Sequence, residues 1–367
     1  MTNNIRIVHL TSVHPRYDTR IYVKICNSLK NASYETYLIV ADGVGSEIKK
    51  EINIIDVGRA SGNRLIKTFL RVYRVFRQSL KIKADLYHFH DPELIPVGIL
   101  LRFMGAKVIY DIHEDVPRQV LRKPWIPTKL KWLTSKLVSL FEYIASKIVT
   151  AIVTVTPTIA ERFRKSLVVE VRNYVSLDEF STEPTYKYKN LITYAGGITC
   201  DRGIMQMIDA IGLTESSLTL AGNFQDKKVE KVCMQKQAWS KVNYKGWLSR
   251  EEIKETLDNT LIGLVVLQPT GDYEDAYPVK MFEYMAAGIA VISSNFSLWS
   301  DIIDKSNCGI CVDPTSPEDI ANAINYMVNN REETIEMGKR GRLAVTKYYN
   351  WNSQEKKLLE LYSTLLK

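Results

Sequence analysis

The sequence predicts an α/β protein made of two Rossmann-like, doubly wound domains, and three observations carry this. Short runs rich in β-branched residues alternate with amphipathic stretches along the whole chain, the β-α-β-α order of a parallel sheet covered by helices on both faces. The rhythm breaks once, at the polar segment 173–189 (NYVSLDEFSTEPTYKYK), and a second series follows it. The length, 367 residues, suits two cores at roughly 100–200 residues per domain.

The first series opens with strand 5–10 (IRIVHL), a helical pattern over 17–31 and strand 36–40 (TYLIV). Strand 52–57, helix 64–81, strand 86–89, helix 92–104 and strand 107–111 come next, and 150–155 and 168–171 extend the same sheet. Segment 173–189 has no hydrophobic period and reads as a linker. The second series places strands at 191–195, 218–220, 242–244, 262–266 and 290–293, with helices between them. The chain closes on a helix over 351–367, with Leu361 and Leu365 on one face. Two doubly wound halves imply a cleft faced by the carboxyl ends of both sheets.

Composition narrows the class further. A 46% hydrophobic share with 18 Gly and 12 Pro excludes disordered and collagen-like chains. Five scattered cysteines (26, 200, 233, 308 and 311) make no disulfide framework and fit a reducing compartment. The Cys308/Cys311 pair has no second CxxC, so zinc or redox chemistry is not expected there. No secretory leader is read at the start, and no span reaches about 18 uninterrupted apolar residues. A cytoplasmic protein, peripheral at most, is the expectation. The charge is uneven: residues 1–180 hold 28 Lys+Arg against 17 Asp+Glu, leaving 21 against 24 for the rest.

The strongest chemical signal is Asp275-Ala-Tyr-Pro-Val-Lys-Met-Phe-Glu-Tyr-Met-Ala-Ala-Gly288. Pro278 suits a helix start, where its missing N–H costs nothing, and Gly288 ends the helix. An exposed helix N-terminus offers N–H groups and partial positive charge to an anion such as a diphosphate. Lys280 adds a cation one turn from Glu283, and Asp275 lies eight residues before Glu283. Taken alone, the same residues also fit a surface helix with a solvated Lys/Glu pair.

This segment resembles the carboxylate-x7-carboxylate motif of retaining glycosyltransferases of family 4, which have the GT-B fold. The resemblance continues through Tyr194-Ala-Gly-Gly-Ile-Thr-Cys-Asp-Arg-Gly203, Tyr244-Lys-Gly-Trp-Leu248, Cys308-Gly-Ile-Cys-Val-Asp-Pro314 and the ending Tyr349-Asn-Trp-Asn…Leu-Tyr362. It implies an acceptor-binding domain over 1–172 joined by helix 351–367, and a nucleotide-sugar domain over 190–350. Glu283 matches the carboxylate that binds the nucleotide ribose. Asp275, one methylene shorter than the family's Glu, matches the one that contacts the donor sugar. In the phosphate loop Gly196 and Gly197 form the turn; Arg202 takes the second cation position, and Gly197 stands where the first would be. Trp247 and Leu248 match the segment that holds the base, and Tyr277, Pro278, Val279 and Lys280 complete the donor set. The implied activity is transfer of a sugar from a UDP- or GDP-sugar to an acceptor hydroxyl, with retention. No cofactor is implied, and Arg202 with Lys280 makes a metal unnecessary.

The first half holds all five histidines. His88 and His90 lie two apart on one strand and share a face. His113 ends the next strand, where the family has a His beside the reacting sugar, so it joins Asp275 and Glu283 in the catalytic set. His9 and His88 also suit buried histidines satisfied by backbone. Arg16, Asp18 and Arg20, in the turn after the first strand, are acceptor-binding candidates together with His90; Asp18 equally suits a helix cap.

Two rival functions are weighed. His88, His90 and Asp91 offer ligands for a metal-dependent hydrolase, which a chelator would abolish. A non-catalytic sugar-nucleotide-binding protein would bind tightly without turnover. Two acid-free basic stretches, Arg64 to Lys83 and Arg118 to Lys136 (with Trp125 and Trp132), suit an anionic membrane surface. In the first, Leu65, Phe69, Val72 and Phe76 cover much of the helix side opposite the cations, which equally suits a solvated helix packed on the sheet. The acceptor expected from this charge is a lipid-linked or surface-polysaccharide glycan. No nucleic-acid-binding motif accompanies the charge.

Overall fold

A computed structural model of the chain describes residues 5–123, 126–180, 191–270 and 273–367. It divides into two compact units, Met1–Asn173 with Asn352–Lys367, and Tyr174–Trp351.

The first unit is an eight-stranded sheet. Its strands are β1 (Arg6–Leu10), β2 (Glu35–Val40), β3 (Glu47–Lys49), β4 (Ile52–Asp56), β5 (Leu86–Phe89), β6 (Lys107–Ile112), β7 (Ala151–Thr154) and β8 (Val168–Glu170). They are ordered β3-β4-β2-β1-β5-β6-β7-β8, all parallel except the β3/β4 edge pair. Every residue of β5 and β7 is buried, as a sheet with helices on both faces requires. The first helix winds with the wider π spacing over Thr19–Cys26 and continues as α-helix over Asn27–Asn31. The apolar side of helix Arg64–Ile82 divides in two. Val72 and Phe76 pack on the core, but Leu65 and Phe69 are 82% and 70% exposed. The last helix, Trp351–Leu366, buries Leu358, Leu361 and Tyr362.

The second unit is a parallel six-stranded sheet of β9 (Leu191–Ala195), β10 (Leu218–Ala221), β11 (Val242–Gly246), β12 (Thr260–Val265), β13 (Ala290–Ser294) and β14 (Gly309–Val312), ordered β11-β10-β9-β12-β13-β14. One core packs Ile192, Ile208, Leu220 and Ile292; another packs Met281, Phe282, Tyr284 and Trp299. Part of the expected linker belongs to this second core. Tyr174 and Val175 are 2% and 3% exposed, the Tyr174 ring meets Phe282 edge-on at 4.9 Å, and Val175 bridges to Asn350. Residues 181–189 of that segment lie outside the described residues.

In each sheet the chain leaves its first strand to one side and later returns on the other. The strand order therefore reverses beside β1 in the first unit and beside β9 in the second. Ligands of open α/β sheets bind at such switch points, beyond the carboxyl ends of the strands.

Candidate functional site

In the second unit, β9 ends at Ala195 and the backbone turns through Gly196 and Gly197. Beside this turn lies a cavity of about 550 Å³, lined by Gly196, Leu248, Lys280, Glu283 and Tyr284 among others, a size that suits a small-molecule ligand. Gly196 has φ +151°, and a Cβ there would stand 2.1 Å from Lys280 Cε and 2.2 Å from Nζ. A Cβ on Gly197 would stand 2.8 Å from Arg202 Nη1, which donates to the Gly197 carbonyl at 3.2 Å. Two cations thus lie against one dipeptide because neither residue of it has a side chain.

Burial holds Lys280 below the ordinary lysine range, with Glu283 opposing the shift and Arg202 adding to it. Burial also pulls on Arg202, but Tyr194 and Tyr273 outweigh it and raise its proton affinity. The site is therefore cationic through Arg202, and Lys280 has been drawn out of water toward it. Helix Val279–Ala286 follows Pro278, whose side chain makes no cap. One turn in, Glu283 shares the cavity wall with Lys280.

Tyr284, which the sequence reading left without a role, anchors this helix. Its hydroxyl accepts from the Ala195 N–H at 3.0 Å and donates to the Thr193 carbonyl at 3.3 Å. Its ring occupies the space where a Gly263 Cβ would be, 2.4 Å away. Asp275, Tyr277, Pro278 and Val279 form the loop and first turn ahead of Lys280, with Tyr277 packed edge-on against Tyr174 at 5.8 Å. Leu248 lines the cavity, whereas Trp247 is 71% exposed. A further wall, also without a role in the sequence reading, comes from Glu179, Arg250 and Lys254, with Arg250 ion-paired to Glu179. Their sequence looks like ordinary solvated surface.

In the first unit, the carboxyl ends of β1, β5 and β6 bring the five histidines close together, with His9, His88 and His90 in one hydrogen-bonded group and His14 with His113 in another. His9 and His88 are register partners on adjacent strands. Their polar partners are side chains, where backbone was expected. The Tyr362 hydroxyl lies 2.5 Å from His88 Nδ1 and 3.4 Å from His9 Nε2, and His9 Nδ1 lies 2.9 Å from His90 Nε2. His90 Nδ1 reaches Asp111 Oδ2 at 3.2 Å. Burial, reinforced by neighbouring imidazoles, holds His9 and His88 well below the ordinary histidine value. It lowers His90 too, against the pull of Asp111.

The acceptor candidates stand in this framework. Arg20 is 4% exposed; it donates to both oxygens of Asp111 at 2.9 Å and to the Val171 carbonyl at 3.0 Å. Arg16 pairs with Asp42 at 2.7 Å and Glu47 at 2.6 Å. Asp18 caps the first helix through the N–H groups of Arg20 and Ile21. His90 is 2% exposed with both nitrogens engaged. Each of these side chains holds the unit together. His113, beyond β6, keeps 16% side-chain exposure. His14 lies beside it, 3.2 Å away between Nε2 atoms.

Ligand atoms of His9, His88 and His90, and of His90, Asp111 and His113, lie within 4.8 Å of one another, close enough for a metal. The first trio brings no carboxylate, and Asp111 in the second is already neutralised by Arg20. The hydrolase set His88, His90 and Asp91 is not assembled. Asp91 instead faces His14 at 2.7 Å and takes Thr11 and Ser12 on its other oxygen. All five cysteines are free thiols.

The basic stretches differ from each other. Arg71 donates to the Ser12 carbonyl and Arg74 to that of Arg59, both at 3.1 Å, so part of the first stretch faces inward. Trp125 lies outside the described residues. Helix Thr128–Ile148 is more exposed: Leu130, Leu133, Leu137, Leu140 and Ile144 are 41–53% exposed, Trp132 66% and Phe141 57%. Among the described residues, no helix is long and apolar enough to cross a membrane.

Comparison with known proteins gives two family matches. Residues 19–175 match "Glycosyltransferase Family 4", and residues 177–344 match "Glycosyl transferases group 1". An uncharacterized glycosyltransferase of Methanocaldococcus jannaschii is 24% identical over 184 residues, 47% of this chain and 45% of its own; the chain thus spans under half the length of that curated relative. Among solved structures, sucrose-phosphate synthase of Thermosynechococcus elongatus superposes with a TM-score of 0.79 at 16% identity, over 99% of both chains. HepE of Anabaena, crystallised with UDP and glucose, gives 0.73 at 12% identity, over 98% of this chain and 100% of its own. The fold is GT-B.

Proposed function

We propose that this chain, which carries the two domains of a GT-B glycosyltransferase, transfers a sugar from a UDP- or GDP-sugar to an acceptor hydroxyl with retention. One observation carries the reading: Lys280 and Arg202 flank the bare dipeptide Gly196-Gly197 beside a cavity walled by Glu283. A diphosphate needs positive charge and close backbone approach, and a ribose needs a hydroxyl acceptor; this set offers all three.

In this reading Glu283 accepts from the ribose, and Leu248 contacts the base. Asp275 and His113 contact the transferred sugar. As the glycosidic bond lengthens, negative charge grows on the departing diphosphate. Lys280, Arg202 and the N-terminal N–H groups of helix Val279–Ala286 oppose it without reorganising. The protein supplies the positive charge, so turnover is metal-independent and survives a chelator.

The acceptor we propose is a lipid-linked or surface-polysaccharide glycan at the cytoplasmic face of a membrane. Helix Thr128–Ile148 presents an apolar stripe of 3-4-3-4 spacing that would also suit a second helix. Lys129, Lys131 and Lys136 border it, in a stretch without an acid, and Glu142 is buried against Arg162. A second copy would oppose like charges, whereas anionic lipid complements them.

Titration calorimetry with UDP and GDP tests the donor half of this reading. One of them binds the wild type, and Glu283→Ala weakens that binding about 10-fold or more, the value of a hydrogen bond to a charged group. Equal affinity in the variant removes Glu283 from the ribose.

A further inference from the structure

His113 does not stand alone. His14 stands beside it, likewise partly exposed, and the contacts around the pair fix where each proton sits. Asp91 is fully buried. Its Oδ2 takes the Thr11 hydroxyl at 2.9 Å, the Ser12 N–H at 2.5 Å and the Ser12 hydroxyl at 3.1 Å. Its Oδ1 has no hydrogen-bond partner among the described residues and lies 2.7 Å from His14 Nδ1, as an ion-pair contact. The Thr11 proton is committed to Asp91, so Thr11 Oγ1 offers only lone pairs to His14 Nδ1, 3.2 Å away. His14 Nδ1 therefore carries a hydrogen.

The same reasoning applies at the other end. His113 Nδ1 is buried without a hydrogen-bond partner, and the nearest charge it faces is Asp111 Oδ2 at 3.9 Å. A lone pair pointed at a carboxylate is repelled, so this nitrogen also carries its hydrogen. The single proton in the 3.2 Å gap between the Nε2 atoms belongs to His14, which lies 2.7 Å from Asp91, whereas His113 lies 3.9 Å from an Asp111 already paired with Arg20; His113 Nε2 keeps its lone pair. Charges around the pair agree: burial works against a charged His14, but Asp91, Asp18 and Glu114 outweigh it and raise its proton affinity.

We propose that His14 is a positioning residue for His113, its Asp91-held imidazolium fixing His113 in the tautomer whose Nε2 is an acceptor. A sugar hydroxyl both donates and accepts. By parting the rings and replacing their direct bond, such a hydroxyl would give its proton to His113 Nε2 and take one from His14 Nε2–H, so the pair discriminates hydroxyl from a group that can only accept. The hydroxyl part rests on the sugar-contacting role proposed above for His113; the tautomer part does not.

Long-range 1H–15N NMR of the full-length, 15N-histidine-labelled chain at pH 7 reads the tautomers directly. Single-histidine variants assign the five rings. The expected wild-type spectrum shows His113 protonated at Nδ1 and bare at Nε2. His14→Ala mixes the two tautomers. His14→Gln, whose amide N–H reaches the same place, restores the wild-type pattern. A His113 spectrum identical in wild type and His14→Ala overturns the pairing. UDP-glucose turnover is then measured in His14→Ala, His14→Gln and His113→Ala. Loss of about 10-fold in both alanine variants, with partial rescue by Gln, supports hydroxyl recognition. Full activity in His113→Ala overturns the sugar contact and leaves the pairing to the spectrum.

Discussion

Lys280 rests on Gly196: a Cβ added to the glycine would collide with both Cε and Nζ, at 2.1 and 2.2 Å. No side chain of any size fits between them. The closeness lets an anion bridge the ammonium and the backbone turn together.

Gly196→Ala is expected to displace the lysine and strain the turn, since φ +151° is a conformation alanine rarely adopts. The strain costs roughly 1–3 kcal/mol, read as a fall in the urea midpoint. Nucleotide affinity falls with it. If calorimetry shows tight binding with Lys280 displaced, the ammonium is not a phosphate ligand.

Arg20→Ala leaves Asp111 buried with its main counter-charge removed. Breaking a buried ion pair by deleting one partner costs about 3–5 kcal/mol, a large share of the roughly 5–15 kcal/mol that holds an ordinary domain. The unfolding midpoint should drop sharply before any effect on acceptor use is seen. An Arg20→Ala protein as stable as the wild type, yet blind to acceptor, would restore Arg20 to the acceptor site.

Mild acid should loosen the first unit. Burial lowers the proton affinity of His9, His88 and His90 below the ordinary 6.5. The unfolded chain therefore takes up protons first, and folding stability falls as pH drops below 6.5. Each group contributes up to about 1.4 kcal/mol per pH unit. His14, shifted upward, makes its full contribution below 6.5. Asp91, pulled down to about 2, loses its contribution only as pH falls from 3.8 toward 2. Between pH 6.5 and 5.5 the loss thus comes from the three buried rings, opposed by Glu93 and Glu142, whose proton affinity burial raises. A flat urea midpoint across that interval contradicts their neutrality.

Vesicle sedimentation tests the exposed helix. The chain should bind vesicles containing anionic phospholipid, less so at high salt and hardly at all without the anionic lipid. Replacing Trp132 and Phe141 together by Ser removes two half-buried aromatic contacts with lipid and lowers binding at least 10-fold. Both side chains are exposed in the folded chain, so Tm should not move. Binding unchanged by the double substitution would exclude this face.

The sheets were readable from sequence because buried parallel strands are continuous apolar runs. Of the strands, β3 escaped because three polar-flanked residues at an edge carry no pattern, and β14 showed only as a motif around Cys311. The GT-B architecture was legible through motifs that hold their order along the chain. The array around His113 was not. His9 meets His88 because β1 lies beside β5, a neighbour relation 79 residues apart in sequence that only the strand order supplies. Tyr362 reaches the same rings from the far end of the chain. The short-range part of each site, such as Lys280 with Glu283 on one helix, was visible; the cross-strand part awaited the fold.

The placement of Tyr362 also bears on how the protein is made. The first unit needs residues 352–367 to complete its interior, and these are synthesised only after the whole of the second unit. The second unit, encoded by one uninterrupted segment, can finish folding while the half synthesised before it still lacks a wall. A nascent chain stalled before Tyr362 should therefore carry a closed second half and a first half that chaperones still recognise.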